Sequence, residues 1–115
     1  KDQQKMILSI GDDRNPGDYY LYDRNKNQIA YLGSTRPWID PKTMAAMQPI
    51  EFEARDGETI HGFLSVPVDS DGKNLPLIVN PHGGPFGIQD VWRYNPETQF
   101  FVNRGYAVMQ VNFRG

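Results

Sequence analysis

The sequence predicts an α/β chain in two parts: an antiparallel β meander, then an antiparallel hairpin that leads into a parallel strand–helix–strand unit. Three observations lead to it. Three short β-prone runs near the N-terminus are separated by turn residues. A strictly alternating stretch, with Ile50, Phe52 and Ala54 on one face, runs into the turn pair Asp56-Gly57. Finally, two apolar runs flank a glycine-rich loop and a helical segment, the pattern of buried parallel strands joined by a crossover.

In the first part, Met6 to Ile10 is the first strand, and Asp12-Asp13-Arg14-Asn15-Pro16-Gly17 supplies turn formers. Tyr19 to Tyr22 is the second strand, Asn25-Lys26-Asn27 a turn, and Gln28 to Leu32 the third. Strands so spaced form a meander. One this short has a weak core and is expected to pack against sister sheets, as a β-propeller blade does. Gly33 to Gln48 is a connector. Within it Asp40-Pro41 can open a helix, Asp as cap and Pro in the first turn, with Thr43 to Met47 adding one or two turns before Pro49 ends it.

The second part has different grammar. Ile50 to Arg55 and Thr59 to Val66 form the hairpin, and Pro67 stops it. After the polar loop Val68 to Asn74, Leu75 to Asn80 is almost wholly apolar, as in a strand buried on both faces. Pro81 to Asp90 is the glycine-rich loop. Asn95 caps a helix with Pro96 in its first turn, Gly105 closes it, and Tyr106 to Val111 is the last strand. No internal repeat or low-complexity tract is present.

Bulk properties exclude several function classes. Hydrophobic residues at 38% and charged residues at 23% describe a globular chain. A net charge of -2 gives no footprint for nucleic acid or an anionic membrane. No apolar stretch approaches the length of a transmembrane helix, and no signal peptide opens the chain. With no cysteine there is no disulfide, thiol catalysis or zinc–cysteine site, a composition compatible with cytoplasm and periplasm alike. The chain begins at Lys1 without an initiator Met and stops at Asn112-Phe113-Arg114-Gly115, directly after a strand-like run. Domains usually end in exposed polar tails, so an internal segment of a larger protein is expected.

The loop Pro81-His82-Gly83-Gly84-Pro85-Phe86-Gly87 carries the chemistry. Loops at the carboxyl ends of parallel strands are where α/β proteins place their sites. Consecutive glycines permit positive φ and a close approach of backbone to ligand, so N–H groups can converge on one point. Acyl transfer uses such donors, because negative charge develops on the carbonyl oxygen; losing one side-chain donor costs roughly 3 kcal/mol. A Gly-Gly-Pro loop by itself is often only a turn. Its place after an apolar strand and before a capped helix favours the oxyanion-hole reading.

The run Leu77-Ile78-Val79-Asn80-Pro81-His82-Gly83-Gly84-Pro85 resembles the prolyl oligopeptidase family of serine peptidases, in its dipeptidyl-peptidase and acylaminoacyl-peptidase branch. So do Asn103-Arg104-Gly105-Tyr106-Ala107-Val108, Asn112-Phe113-Arg114-Gly115, and Arg55-Asp56-Gly57 with Ile60-His61-Gly62-Phe63-Leu64. The resemblance is specific from Pro49 to Gly115 and weaker before it. It implies that residues 1–33 are the last strands of a β-propeller, 34–48 an interdomain connector, and 49–115 the N-terminal part of an α/β-hydrolase domain. It implies hydrolysis of short peptides by a Ser-Asp-His triad, with no cofactor and no metal. The family nucleophile sits in a Gly-x-Ser-x-Gly elbow, and none occurs here: the serines are Ser9, Ser34, Ser65 and Ser70. The chain is thus expected to hold no triad residue and to be inactive alone. By the resemblance, Gly83 and Gly84 shape the hole, with the Gly84 N–H as its donor. His82 stands where other branches carry a tyrosine that binds the oxyanion; it either supports the loop, the favoured role, or touches the intermediate.

Trp92 and Tyr94 line a substrate entrance or, as aromatics before a helix commonly do, serve packing. His61 reads as a surface or packing residue. Asp12 and Asp13 could ligate a cation, but adjacent acids in a turn are usually solvated. Arg114 reads as structural, pairing with a carboxylate, and Trp38 and Ile39 as anchors of the connector. A carboxylesterase of the same fold and a non-catalytic binding module are the competing functions; Pro85, where lipases prefer a third glycine, argues against the first. Unpaired sheet edges predict self-association or partial disorder of the isolated chain.

Overall fold

In the computed structural model, which describes residues 3–114, the three N-terminal runs pair antiparallel in chain order. They are β1 (Lys5–Ile10), β2 (Asp18–Asp23) and β3 (Gln28–Ser34). Lys1 and Asp2, at the head of the expected propeller segment, and Gly115, the last residue of the Asn112-Phe113-Arg114-Gly115 run, lie outside the described residues. The turns form as their residues dictate. Asp12 Oδ1 accepts from the N–H groups of Arg14 and Asn15 at 2.8 and 2.6 Å. Asp23 Oδ1 accepts from those of Asn25 and Lys26, and Asn27 takes a φ of 48°, a left-handed conformation that asparagine tolerates. No apolar residue of this sheet is fully buried, and Ile7 and Ile29 are 69% and 62% exposed. The meander therefore has no core of its own.

The second sheet holds β4 (Met47–Glu53), β5 (Thr59–Ser65), β6 (Leu77–Val79) and β7 (Ala107–Asn112) in the order β4-β5-β7-β6. Only β6 and β7 are parallel, and the helix α1 (Pro96–Val102) connects them. The predicted hairpin and strand–helix–strand unit are thus both present, joined by the antiparallel pairing of β5 with β7. Local signals hold at the helix ends: Asn95 Oδ1 accepts from the N–H groups of Glu97 and Thr98, and Gly105 takes a φ of 90°. Gly57, at φ 86°, turns the hairpin.

Two expectations fail. Leu75 to Asn80 is not a strand buried on both faces: β6 is three residues long, and Leu77 and Val79 are 52% and 54% exposed. It is an edge strand, and α1 is the one helix against this sheet among the described residues, so only Ile78 turns toward a core. Nor do Thr43 to Met47 form helical turns. Asp40 caps a single 3-10 turn, Pro41–Thr43, and the chain then extends into β4 with Pro49 inside the strand. The reason is tertiary. Ala45 and Met47 bond through their backbones to the side chains of Gln99 and Asp13, which replaces what a helix would have offered. Pro49 is tolerated because β4 is an edge strand.

The core is small: Ala45, Val102 and Val108, with Ile78 and Phe101 against them. Beside it lies a buried polar layer of Thr98, Gln99 and Gln110. The two sheets meet at one place. Gln99 Nε2 donates to the carbonyl of Asp13 at 3.3 Å and to that of Ala45 at 2.8 Å, while its Oε1 accepts from Ala45 N–H at 2.9 Å. Asp13 Oδ2 accepts from Met47 N–H at 2.6 Å, and Tyr94 N–H donates to Asp12 O. No strand of the first sheet packs extensively on the second. The radius of gyration, 18.0 Å, is accordingly well above the roughly 13 Å of a compact domain of this length.

Strand β5 is held close to β7 by a glycine. A Cβ on Gly62 would collide with the carbonyl oxygen of Gln110. Gly62→Ala is therefore expected to destabilise the protein by about 1–3 kcal/mol, read as a lowered denaturant midpoint.

Candidate active site

The glycine loop leaves β6 and returns toward α1, at the carboxyl ends of the parallel pair. Asn80 fixes its start: the backbone N–H donates to Met109 O at 2.8 Å, and the side-chain amide donates to Glu97 Oε2 at 3.2 Å. His82 follows. Its ring stacks on Phe113, with centroids 4.3 Å apart and planes 18° from parallel. Its Nδ1–H donates to Gly83 O at 2.6 Å, and Nε2 is buried without a partner among the described residues.

Gly83 and Gly84 come next, both exposed. Neither takes a positive φ, contrary to one reason for placing glycine there; within the loop only Gly87 does, at 69°. What distinguishes them is space. A Cβ on either would meet nothing within 4 Å, and neither N–H has a hydrogen-bond partner among the described residues. The peptide bond from Gly84 to Pro85 is cis. An open groove of about 630 Å³ runs beside the loop, bordered by His61, Gly87, Ile88, Phe113 and Arg114.

The far end of the loop is anchored by residues that sequence reasoning missed. The Asn112 carboxamide accepts from Asp90 N–H at 2.8 Å and donates to Asp90 O at 3.0 Å. Gln110 Nε2 donates to Asp90 Oδ1 at 2.7 Å, and its Oε1 accepts from Thr98 Oγ1 at 3.0 Å. Asp90 Oδ2 is buried without a partner among the described residues. One signal for this network was available: Gln110 interrupts an otherwise apolar strand, and it is only 2% exposed.

The other singled-out residues lie elsewhere. Trp92 and Tyr94 sit at the junction of the two sheets: Trp92 Nε1 donates to Met47 O at 3.1 Å, and Tyr94 holds Asp12 through its backbone and stands under the Arg36 guanidinium. Asp13 is 6% exposed, so the solvated reading of that turn is wrong for it; its carboxylate serves Met47. Trp38 is 75% exposed and anchors nothing among the described residues, whereas Ile39 is half-buried. His61 is a surface residue, 3.3 Å from Glu51 on the neighbouring strand. Among the described residues no group of three or more His, Asp or Glu could hold a metal ion, and no helix is long and apolar enough to cross a membrane.

No family model matches the chain. Curated relatives do. It is 35% identical to dipeptidyl aminopeptidase BIII of Pseudoxanthomonas mexicana, over 99% of this chain and 17% of that protein. It is 32% identical to dipeptidyl peptidase family member 6 of Caenorhabditis elegans, over 99% of this chain and 18% of that protein. Among solved structures it is similar to prolyl oligopeptidase B of Galerina marginata bound to a 35mer hydrolysis and macrocyclization substrate. There the TM-score is 0.71 at 16% identity, covering 98% of this chain and 16% of that one. The chain thus spans less than a fifth of the length of these proteins.

Arg114, on the border of the groove, pairs with the exposed Asp56, Nη1 to Oδ2 at 2.6 Å. The guanidinium holds the Asp56 carboxyl below its ordinary value, with the turn's own amides helping. A depressed carboxyl favours the fold above its unfolded pKa, and that contribution is lost as pH falls through the lower folded value. Arg114→Ala is expected to raise the Asp56 midpoint toward the ordinary carboxylate value, followed by NMR of the labelled carboxyl carbon. An unmoved midpoint would assign the shift to the turn alone.

Proposed function

The chain belongs to the prolyl oligopeptidase family, and from that premise we propose that it is the part of a serine peptidase that carries the oxyanion-hole loop. In this reading residues 1–33 are the last strands of a β-propeller, 34–48 connect two domains, and 49–115 begin an α/β-hydrolase domain. The Gly84 N–H donates to the oxyanion of the tetrahedral intermediate, with Gly83 shaping the approach. A second donor, the nucleophile and the rest of the triad come from sequence outside this chain.

The observation that carries the reading is the state of the two glycines. Both residues are exposed and their N–H groups are unpaired among the described residues, at the carboxyl ends of parallel strands. A preorganised donor of this kind needs no rearrangement as charge develops. His82 has the supporting role: its proton is committed to Gly83 O and its ring to Phe113. Trp92 and Tyr94 serve packing at the junction of the two sheets, Trp92 through Met47 O and Tyr94 through Asp12 O. The substrate is a short peptide. The sheet edges at β4 and β6 are the surfaces through which the isolated chain would self-associate.

Two measurements test the reading. The 115-residue chain is expected to stay unlabelled by a fluorophosphonate probe while the full-length protein labels stoichiometrically and prefers a peptide anilide to a nitrophenyl acyl ester. Labelling of the short chain would overturn it. Gly84→Ala is expected to leave the thermal stability of the 115-residue chain unchanged, since the methyl meets nothing within 4 Å among the described residues. In the full-length protein it should lower kcat about 10- to 100-fold by crowding the oxyanion; an unchanged kcat would remove Gly84 from the hole.

A further inference from the structure

Most of the loop from Gly83 to Gln89 bonds to nothing. Its residues are exposed, and His82 Nδ1 to Gly83 O is the only hydrogen bond that reaches them among the described residues. A donor on such a loop is useful only if its ends are fixed, because catalytic groups lose rate steeply with small misplacements. Both ends are held by consecutive residues at the end of β7. Phe113 carries the His82 ring, and Asn112 carries Asp90.

The Asn112 contact has a specific geometry. Its carboxamide presents one acceptor and one donor to the N–H and C=O of a single residue, as a neighbouring strand would. A side chain thereby continues the sheet by one rung where no strand is available. Gln110, two residues earlier on the same face of β7, holds the Asp90 carboxylate and is itself held by Thr98 of α1. The exit of the loop is therefore referenced to the strand and the helix together.

We infer that Asn112 and Phe113 form a two-point clamp that positions the glycine loop, with Asn112 as the positioning residue at its exit. The importance of the clamp for turnover rests on the oxyanion reading of Gly84; its action on the loop does not. Neither residue needs to touch substrate.

The test uses the full-length protein with Asn112→Ala and, because that variant leaves a cavity, Asn112→Asp, which keeps the size and the acceptor but loses the donor. Hydrogen exchange is followed at the two bonded amides that bracket the loop, Asn80 and Asp90, and kcat and KM are measured on a peptide anilide. Both variants are expected to speed exchange of the Asp90 amide, to lower kcat about 10- to 100-fold and to leave KM within about twofold. Phe113→Leu should speed exchange of the Asn80 amide instead. Faster exchange with unchanged kcat would keep the clamp and discard the oxyanion role of Gly84. Unchanged exchange in both Asn112 variants would overturn the clamp, whatever happens to kcat. If Asn112→Ala fails to fold, Asn112→Asp alone decides in the same terms.

Discussion

The Gln99 carboxamide is the point at which three segments meet. From the first turn of a seven-residue helix it reaches the connector at Ala45 and the meander at Asp13. The connector enters β4 as extended chain because its peptide groups find partners there, and Ala45 fills the core because the same contact presses it inward. Asp13 completes the arrangement by capping Met47. Removing one member would leave buried backbone groups unsatisfied, at about 1–3 kcal/mol each, comparable with the burial of one of the valines in the small core. Polar pairing and apolar packing are thus of similar weight in this chain.

The same device recurs at the loop. Gln99 on Ala45 and Asn112 on Asp90 are both side-chain amides that take the donor and the acceptor of one residue. Each stands where irregular chain passes regular structure and cannot join a ladder. Irregular backbone near a core has to satisfy its polar groups somehow, and a primary amide is the side chain whose donor and acceptor match a peptide's. One instance sets how the meander meets the second sheet, the other how the glycine loop meets β7.

Legibility in the sequence followed range. The turns at Asp12, Asn25-Lys26-Asn27 and Asp56, the Asn95 cap and the Gly105 stop depend on neighbours and could be read directly. The glycine loop was legible as a motif, though for a partly different reason than supposed, since Gly83 and Gly84 supply open space and not positive φ. The connector was misread because Asp40-Pro41 is a genuine helix opener whose continuation is cancelled by residues 34 and 54 positions away from their targets. The exposure of Leu77 and Val79 was also invisible, because an apolar run tells what a strand wants on its faces and not what is there. Asp90 gave no signal, since nothing in its vicinity marks it as the residue that two amides would hold.

The junction between the sheets has a consequence for exchange of parts. The turn of the meander presents mainly main-chain atoms to the second sheet: the carbonyls of Asp12 and Asp13 are the groups that Tyr94 and Gln99 seek, and the Asp13 carboxylate is the one side chain it contributes to these bonds. An interface written largely in backbone places few demands on sequence. A foreign meander with the same turn geometry and one aspartate at the position of Asp13 would satisfy every polar group on the other side. The boundary is built as a socket that accepts a shape, and the two halves can diverge or be recombined without renegotiating it.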